Sequence, residues 1–235
     1  MNATETIRQK IHAKPDSLWQ LEDFANLPTE AAAKALSRLA KDGTLERIAK
    51  GIYYRPGTSA FGKTSPNPRR LRELASKQHR LFHAGLAAAN LLGFSTQTPS
   101  GPHFSTASTS VHRRLLGENA TIHTRRPEAW NQLEAEEAAI LEMLRDAGKH
   151  SELSAAESTQ RLLELLGTKR RLENLLKVAA TEPPRVQAIL GAAGQELGKS
   201  ERLLAPVRAR LNPLSRFEFG KFAALTFAGQ WQAKA

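Results

Sequence analysis

Lys34, Arg38 and Lys41 recur at i, i+4 and i+7 in a stretch rich in alanine and leucine. On a helix, at about 100° per residue, that spacing sets three cations in one row. Small neighbours, Ala31 and Ser37, let such a row approach a phosphate backbone closely. The chemistry is charge neutralisation and hydrogen bonding to phosphate oxygens. Residues 44–55 follow at once, are rich in β-formers, and carry Arg47, Lys50 and Arg55. Charge on a rod and on the hairpin behind it is the pattern of a chain that grips a polyanion at two levels.

Other chemistries find less support. His79 and His83 have the i, i+4 spacing of a zinc pair, but Leu81-Phe82 interrupts a continuous helix and the chain has no Cys to complete a site. No Gly-x-Ser-x-Gly is present, and the Asp residues, Asp16, Asp23, Asp42 and Asp146, suggest no nucleophilic triad. The run from Gly191 to Gly198 lacks the Lys-Ser/Thr ending of a phosphate loop and falls within a helical pattern. Glu136 and Glu137 are adjacent and point different ways on a helix. The expectation is a protein without catalytic residues, metal or cofactor.

The charge distribution agrees. The 235 residues carry a net charge of +11. Residues 1–70 hold 12 Lys and Arg against 7 Asp and Glu, residues 71–126 hold 7 against 2, and residues 127–235 hold 15 against 14. The first half therefore concentrates the excess, as expected for an N-terminal nucleic-acid surface followed by a balanced packing or regulatory region. The absence of Cys excludes a disulfide scaffold and fits a cytoplasmic location. No apolar run approaches the roughly 18 residues of a membrane span, and residues 1–14 have no signal-peptide core.

The elements that must position these groups follow from periodicity and breakers. Residues 4–13 predict a helix stopped at Lys14-Pro15-Asp16. Ser17 is placed to cap a second helix, with Leu18, Leu21, Phe24 and Ala25 on one face. A third helix, residues 30–41, opens at Pro28 or Thr29 and closes at Asp42-Gly43. Its stripe of Ala32, Leu36 and Leu39 must face a core. The hairpin over 44–55 turns at Gly51 and ends at Pro56. Three short helices followed by a hairpin describe a winged helix-turn-helix, whose third helix enters the major groove while the hairpin touches the flank. Thr29, Lys34, Arg38, Lys41, Arg47, Lys50 and Arg55 are the DNA-contacting residues it predicts. Glu30 could accept from a cytosine amino group, but the helix dipole is the preferred reason for an acid there.

Residues 55–68 read as a linker. Residues 69–126 predict a small α/β segment, with helices at 71–80 and 83–92 and strands at 104–111 and 120–124. Arg113, Arg114, Arg125 and Arg126 flank the strands, either extending the phosphate-contacting surface, meeting an acidic partner, or standing in solvent. Residues 127–235 predict a helical region, with Glu182-Pro183-Pro184 opening one helix. Phe217, Phe219, Phe222, Phe227 and Trp231 read as core, with an exposed partner-binding patch as the alternative. The whole is α+β and mostly α, in three domains spanning 1–60, 69–126 and 127–235.

The stretch from Lys34 to Pro56, KALSRLAKDGTLERIAKGIYYRP, resembles the N-terminal winged helix of AbiEi-type antitoxins, and in particular their DUF6088-like relatives. The resemblance continues through Phe61-Gly62, residues 84–99 with Gly-Phe-Ser-Thr-Gln-Thr-Pro, and residues 211–220. It implies a transcriptional autorepressor that binds inverted repeats at its own promoter as double-stranded DNA. It also implies the antitoxin of a type IV, AbiE-like pair whose toxin is a nucleotidyltransferase-like protein, with the C-terminal region tied to antitoxin activity. The alternative is an antitoxin that neutralises its toxin by direct contact, with DNA binding secondary. Two copies per operator are expected from inverted repeats.

Overall fold

The computed structural model describes residues 3–234. The fold is α+β, about half helical, with small sheets and ten helices among the described residues. The chain gathers into two compact units. Unit 1 comprises residues 1–78 and 111–118, and unit 2 comprises 79–110 and 119–235. The segment expected over 69–126 is thus shared between them.

In chain order, unit 1 begins with α1 (Ala3–His12), β1 (Ser17–Gln20), a 3-10 turn (Leu21–Phe24) and α2 (Thr29–Lys41). Then come β2 (Glu46–Ala49), β3 (Ile52–Arg55), the short strands β4 (Thr58–Ser59) and β5 (Gly62–Lys63), and α3 (Pro68–Gln78). Unit 2 starts with β6 (Phe82–His83), α4 (Gly85–Leu92) and β7 (His103–Ser105). The chain returns to unit 1 for α5 (Arg113–Leu116). It completes unit 2 with β8 (Thr121–His123), α6 (Ala135–Arg145), α7 (Ala155–Gly167), α8 (Arg171–Val178), α9 (Pro184–Glu196) and α10 (Glu201–Arg208).

The second helix expected from Ser17 is instead an extended strand and a single 3-10 turn. Residues 17–20 pair antiparallel with β3, Trp19 opposite Tyr53 and Leu18 opposite Tyr54, giving the sheet order β1-β3-β2. Trp19 suits a half-buried pleated surface, and pairing with β3 supplies backbone partners for residues 17–20. Trp19 then stacks on Phe24 at 5.5 Å. Both join Ile7, Ile11, Ala32, Ala35, Leu36, Leu39, Leu45 and Tyr53 in one buried core. The linker expected over 55–68 contains the β4–β5 ribbon, Thr58 pairing with Lys63 and Ser59 with Gly62.

Unit 2 has its own core. Its sheet runs β6-β7-β8, antiparallel then parallel, and the crossover that a parallel pair requires is the excursion through α5. The strand expected over 104–111 is only His103–Ser105. Small residues on α4, Ala88 and Ala89, are fully buried where that helix lies on α6. Ser154 and Glu157 close a capping box on α7, and Pro184 opens α9 at its first turn. The closing stretch is not helical beyond short 3-10 turns, yet Phe219, Phe222 and Trp231 are buried in the main core and Phe217 and Phe227 pack against it. No helix among the described residues is long and apolar enough to cross a membrane.

Candidate nucleic-acid interface

Helix α2 has two chemically distinct sides. Ala32, Ala35, Leu36 and Leu39 are buried in the unit 1 core. Thr29, Lys34, Ser37, Arg38 and Lys41 are exposed. The acid Glu30 in the first turn and the bases Arg38 and Lys41 in the last complement the helix dipole. Glu30 also reaches Lys34 at 2.7 Å, and since both side chains are largely exposed this pair is weakly held. Arg38 and Lys41 meet no carboxylate among the described residues. Beyond the helix, the Thr44 hydroxyl and then its N–H, at 3.0 Å, hold the Asp42 carboxyl below the usual carboxylate range, which fixes the turn into β2.

The β2–β3 hairpin places Arg47 and Lys50 in solvent, with Gly51 turning the chain at φ +76°. A feature invisible in local sequence joins them. Helix α5 belongs to the same unit, and the Arg114 guanidinium donates to the Arg47 carbonyl at 3.3 Å. Arg47, Lys50, His112, Arg113 and Arg114 together line a groove of about 410 Å³. His112 was not foreseen; its only sequence signal is its place directly before Arg113-Arg114.

Three expected cations are disposed differently. Arg55 is half-buried and donates to the Ile11 carbonyl at 2.8 Å, satisfying the C-terminal end of α1, so it does not stand free on the hairpin. Arg125 and Arg126 belong to unit 2, whereas Arg113 and Arg114 belong to unit 1. Arg125 is exposed with φ +60°, whereas Arg126 is clasped by Glu142 at 2.6 and 3.0 Å and contributes little open charge. His79 follows the end of α3 and His83 lies on β6, so their spacing shares no helix. Among the described residues no His, Cys, Asp and Glu side chains group to hold a metal.

The β4–β5 ribbon adds another exposed group. Its tip carries Phe61, fully exposed, and Lys63 is exposed on β5 opposite Thr58. Its base is pinned by Asp16, whose carboxylate accepts from the Thr64 hydroxyl, the Tyr54 hydroxyl at 3.1 Å and the Gly57 N–H at 3.0 Å. The Thr64 and Tyr54 bonds hold Asp16 below its ordinary value, and burial raises Tyr54. In all, unit 1 holds 16 Lys and Arg against 9 Asp and Glu, and unit 2, nearly twice as long, holds 18 against 14.

These features define an α+β protein with a strongly basic N-terminal unit that displays cations on a helix and on the hairpin after it. The chain belongs to the family described as a family of unknown function, DUF6088, whose model matches residues 6–175. Among solved structures it is similar to the RV2827C protein from Mycobacterium tuberculosis, at 18% identity and a TM-score of 0.49, over 98% of this chain and 90% of that one. No curated protein matches it.

Proposed function

We propose that the protein is a DNA-binding transcriptional autorepressor, with unit 1 as a winged helix-turn-helix. In this reading α2 is the recognition helix, the β2–β3 hairpin is the wing, and β1 completes the wing's sheet. Lys34, Arg38 and Lys41 meet the groove and its walls from α2, with Thr29 at the helix start. Arg47 and Lys50 hold phosphates from the wing, and Arg113 and Arg114 extend that grip. The observation that carries the reading is the division of α2: an apolar side anchored in the core and, opposite, a row of exposed cations running straight into a cationic hairpin. The motifs shared with AbiEi-type antitoxins extend the proposal to the antitoxin of a type IV pair, opposing a nucleotidyltransferase-like toxin. No catalytic role is assigned.

Electrophoretic retardation of DNA from upstream of the gene tests the DNA-binding claim. The wild-type chain should bind with a steep salt dependence. Arg38→Ala with Lys41→Ala should reduce the slope of log K against log salt by about 2, one for each phosphate that is no longer neutralised. An unchanged slope in a folded variant removes α2 from the interface. If the chain binds its toxin but retards no DNA, neutralisation by direct contact takes the place of repression.

A further inference from the structure

Unit 2 holds a second gathering of basic and imidazole groups that DNA binding does not use. The parallel pair β7–β8 brings His103 opposite Thr121 and His123 opposite Ser105. The loop after α6 adds Lys149 and His150, and these groups border a cleft of about 500 Å³. Its wall is formed by Arg126 and Arg145. Glu142 clasps Arg126, and Glu182 accepts from Arg145 Nε at 2.7 Å. Both guanidinium groups lie over the Trp130 ring, at 5.8 and 5.4 Å, and Trp130 itself donates to Glu182 at 2.7 Å. The wall is therefore fixed before any ligand arrives.

The floor is equally specific. Gly85 lines the cleft at φ +53°, and a Cβ there would stand 2.5 Å from His103 Nδ1, so only glycine leaves the imidazole where it lies. The acids on the lining are already engaged. Glu142 holds Arg126, while Asp146 faces His150 at 3.7 Å and accepts from the Gly148 N–H at 3.1 Å. Lys149 is exposed and pairs with no carboxylate among the described residues. Burial holds His103 below its ordinary value, and the nearby His123 and His150 push the same way. An anion in the cleft would offset the repulsion that a charged His103 meets from these neighbours.

We infer that this cleft binds a small phosphate-bearing molecule, with Lys149 and His123 on the phosphate and the Arg126–Arg145 wall behind it. The volume exceeds that of a lone phosphate and lies within the range of about 300–1,000 Å³ typical of small-molecule sites, which favours a phosphate ester over the free ion.

Calorimetric titration of the full chain with inorganic phosphate and, separately, with adenosine 5′-monophosphate tests this. Both probes should bind, the ester more tightly. Lys149→Ala and His123→Ala, at exposed positions, should each weaken binding by about tenfold or more, as removal of one hydrogen bond to a charged group would, with Tm unchanged. Equal affinity for both probes supports the site and identifies the free anion as its occupant. Three results overturn the inference: no binding of either probe at about 10 mM, a concentration well above ordinary small-ligand Kd values; binding unaltered by both variants; or binding abolished by Lys34→Ala with Arg38→Ala, which would place the anion on unit 1.

Discussion

The two units handle positive charge in opposite ways. In unit 2 the arginines nearest the core are bound to carboxylates: Arg126 to Glu142, Arg145 to Glu182, Arg171 to Glu136. Glu142 and Glu182 are themselves buried, so the first two pairs are parts of the interior. In unit 1 the ion pairs are exposed ones, such as Lys34 with Glu30 and Arg69 with Glu73, and Arg38, Lys41 and Lys50 have no acidic partner among the described residues. A count of Lys and Arg along a sequence treats these cases alike. Only the partners distinguish charge that organises an interior from charge available to a polyanion.

Substitutions can break or sharpen this contrast. The largest effect is expected for Glu182→Ala, which strands the Arg145 guanidinium and the Trp130 N–H together; about 3–5 kcal/mol of stability should be lost in urea unfolding. A loss comparable to that of a surface pair would mean that unit 2 does not depend on its internal charges. Arg55→Ala should cost about 1–2 kcal/mol, through the bond to Ile11 at the end of α1, and leave the salt slope of DNA binding intact. A reduced slope would return Arg55 to the interface.

Acid unfolding examines a third kind of charged group. Glu152 is held down to about 2, first by the Thr96 N–H and then by the Gln97 and Ser95 side chains. Because its folded value lies below its ordinary one of 4.5, its contribution is complete above that pH and is lost as the pH falls toward 2. Glu152→Gln should therefore flatten the stability profile across that window; an unchanged profile would show that the carboxylate does not secure residues 95–97. The smallest effect is expected for Glu30→Gln, which removes an exposed i, i+4 pair worth about 0.3–0.5 kcal/mol. By freeing Lys34 it should tighten DNA binding slightly, readable by fluorescence anisotropy.

Much of α2 was legible because its information is local: a helical period, a breaker at Pro28, and cations on the side that the apolar stripe leaves open. The helices of residues 135–196 were legible for the same reason. Strand β1 was not, since Leu18, Leu21 and Phe24 fit a helical period and only pairing with residues 52–55 decides otherwise. The bond that holds Arg55 was hidden because its acceptor lies 44 residues away. The Arg145–Glu182–Trp130 network joins residues 37 and 52 positions apart, and the imidazole cleft draws on strands and loops with no shared motif. Phe61-Gly62 and the Gly93–Gln97 stretch entered only through resemblance; the structure places the first at an exposed ribbon tip and fastens the second to Glu152.

The excursion of the chain through α5 has a consequence for synthesis. Leu115 and Leu116 are buried on the short helix that lies against α3, so unit 1 lacks that piece until residue 118 has left the ribosome. A nascent chain halted at residue 78 carries every cation of α2 and its hairpin but leaves the α3 flank bare. Dissecting the gene into independent fragments therefore calls for residues 79–110 to be replaced by a short linker, since no single stop codon yields a whole N-terminal unit without carrying part of its neighbour.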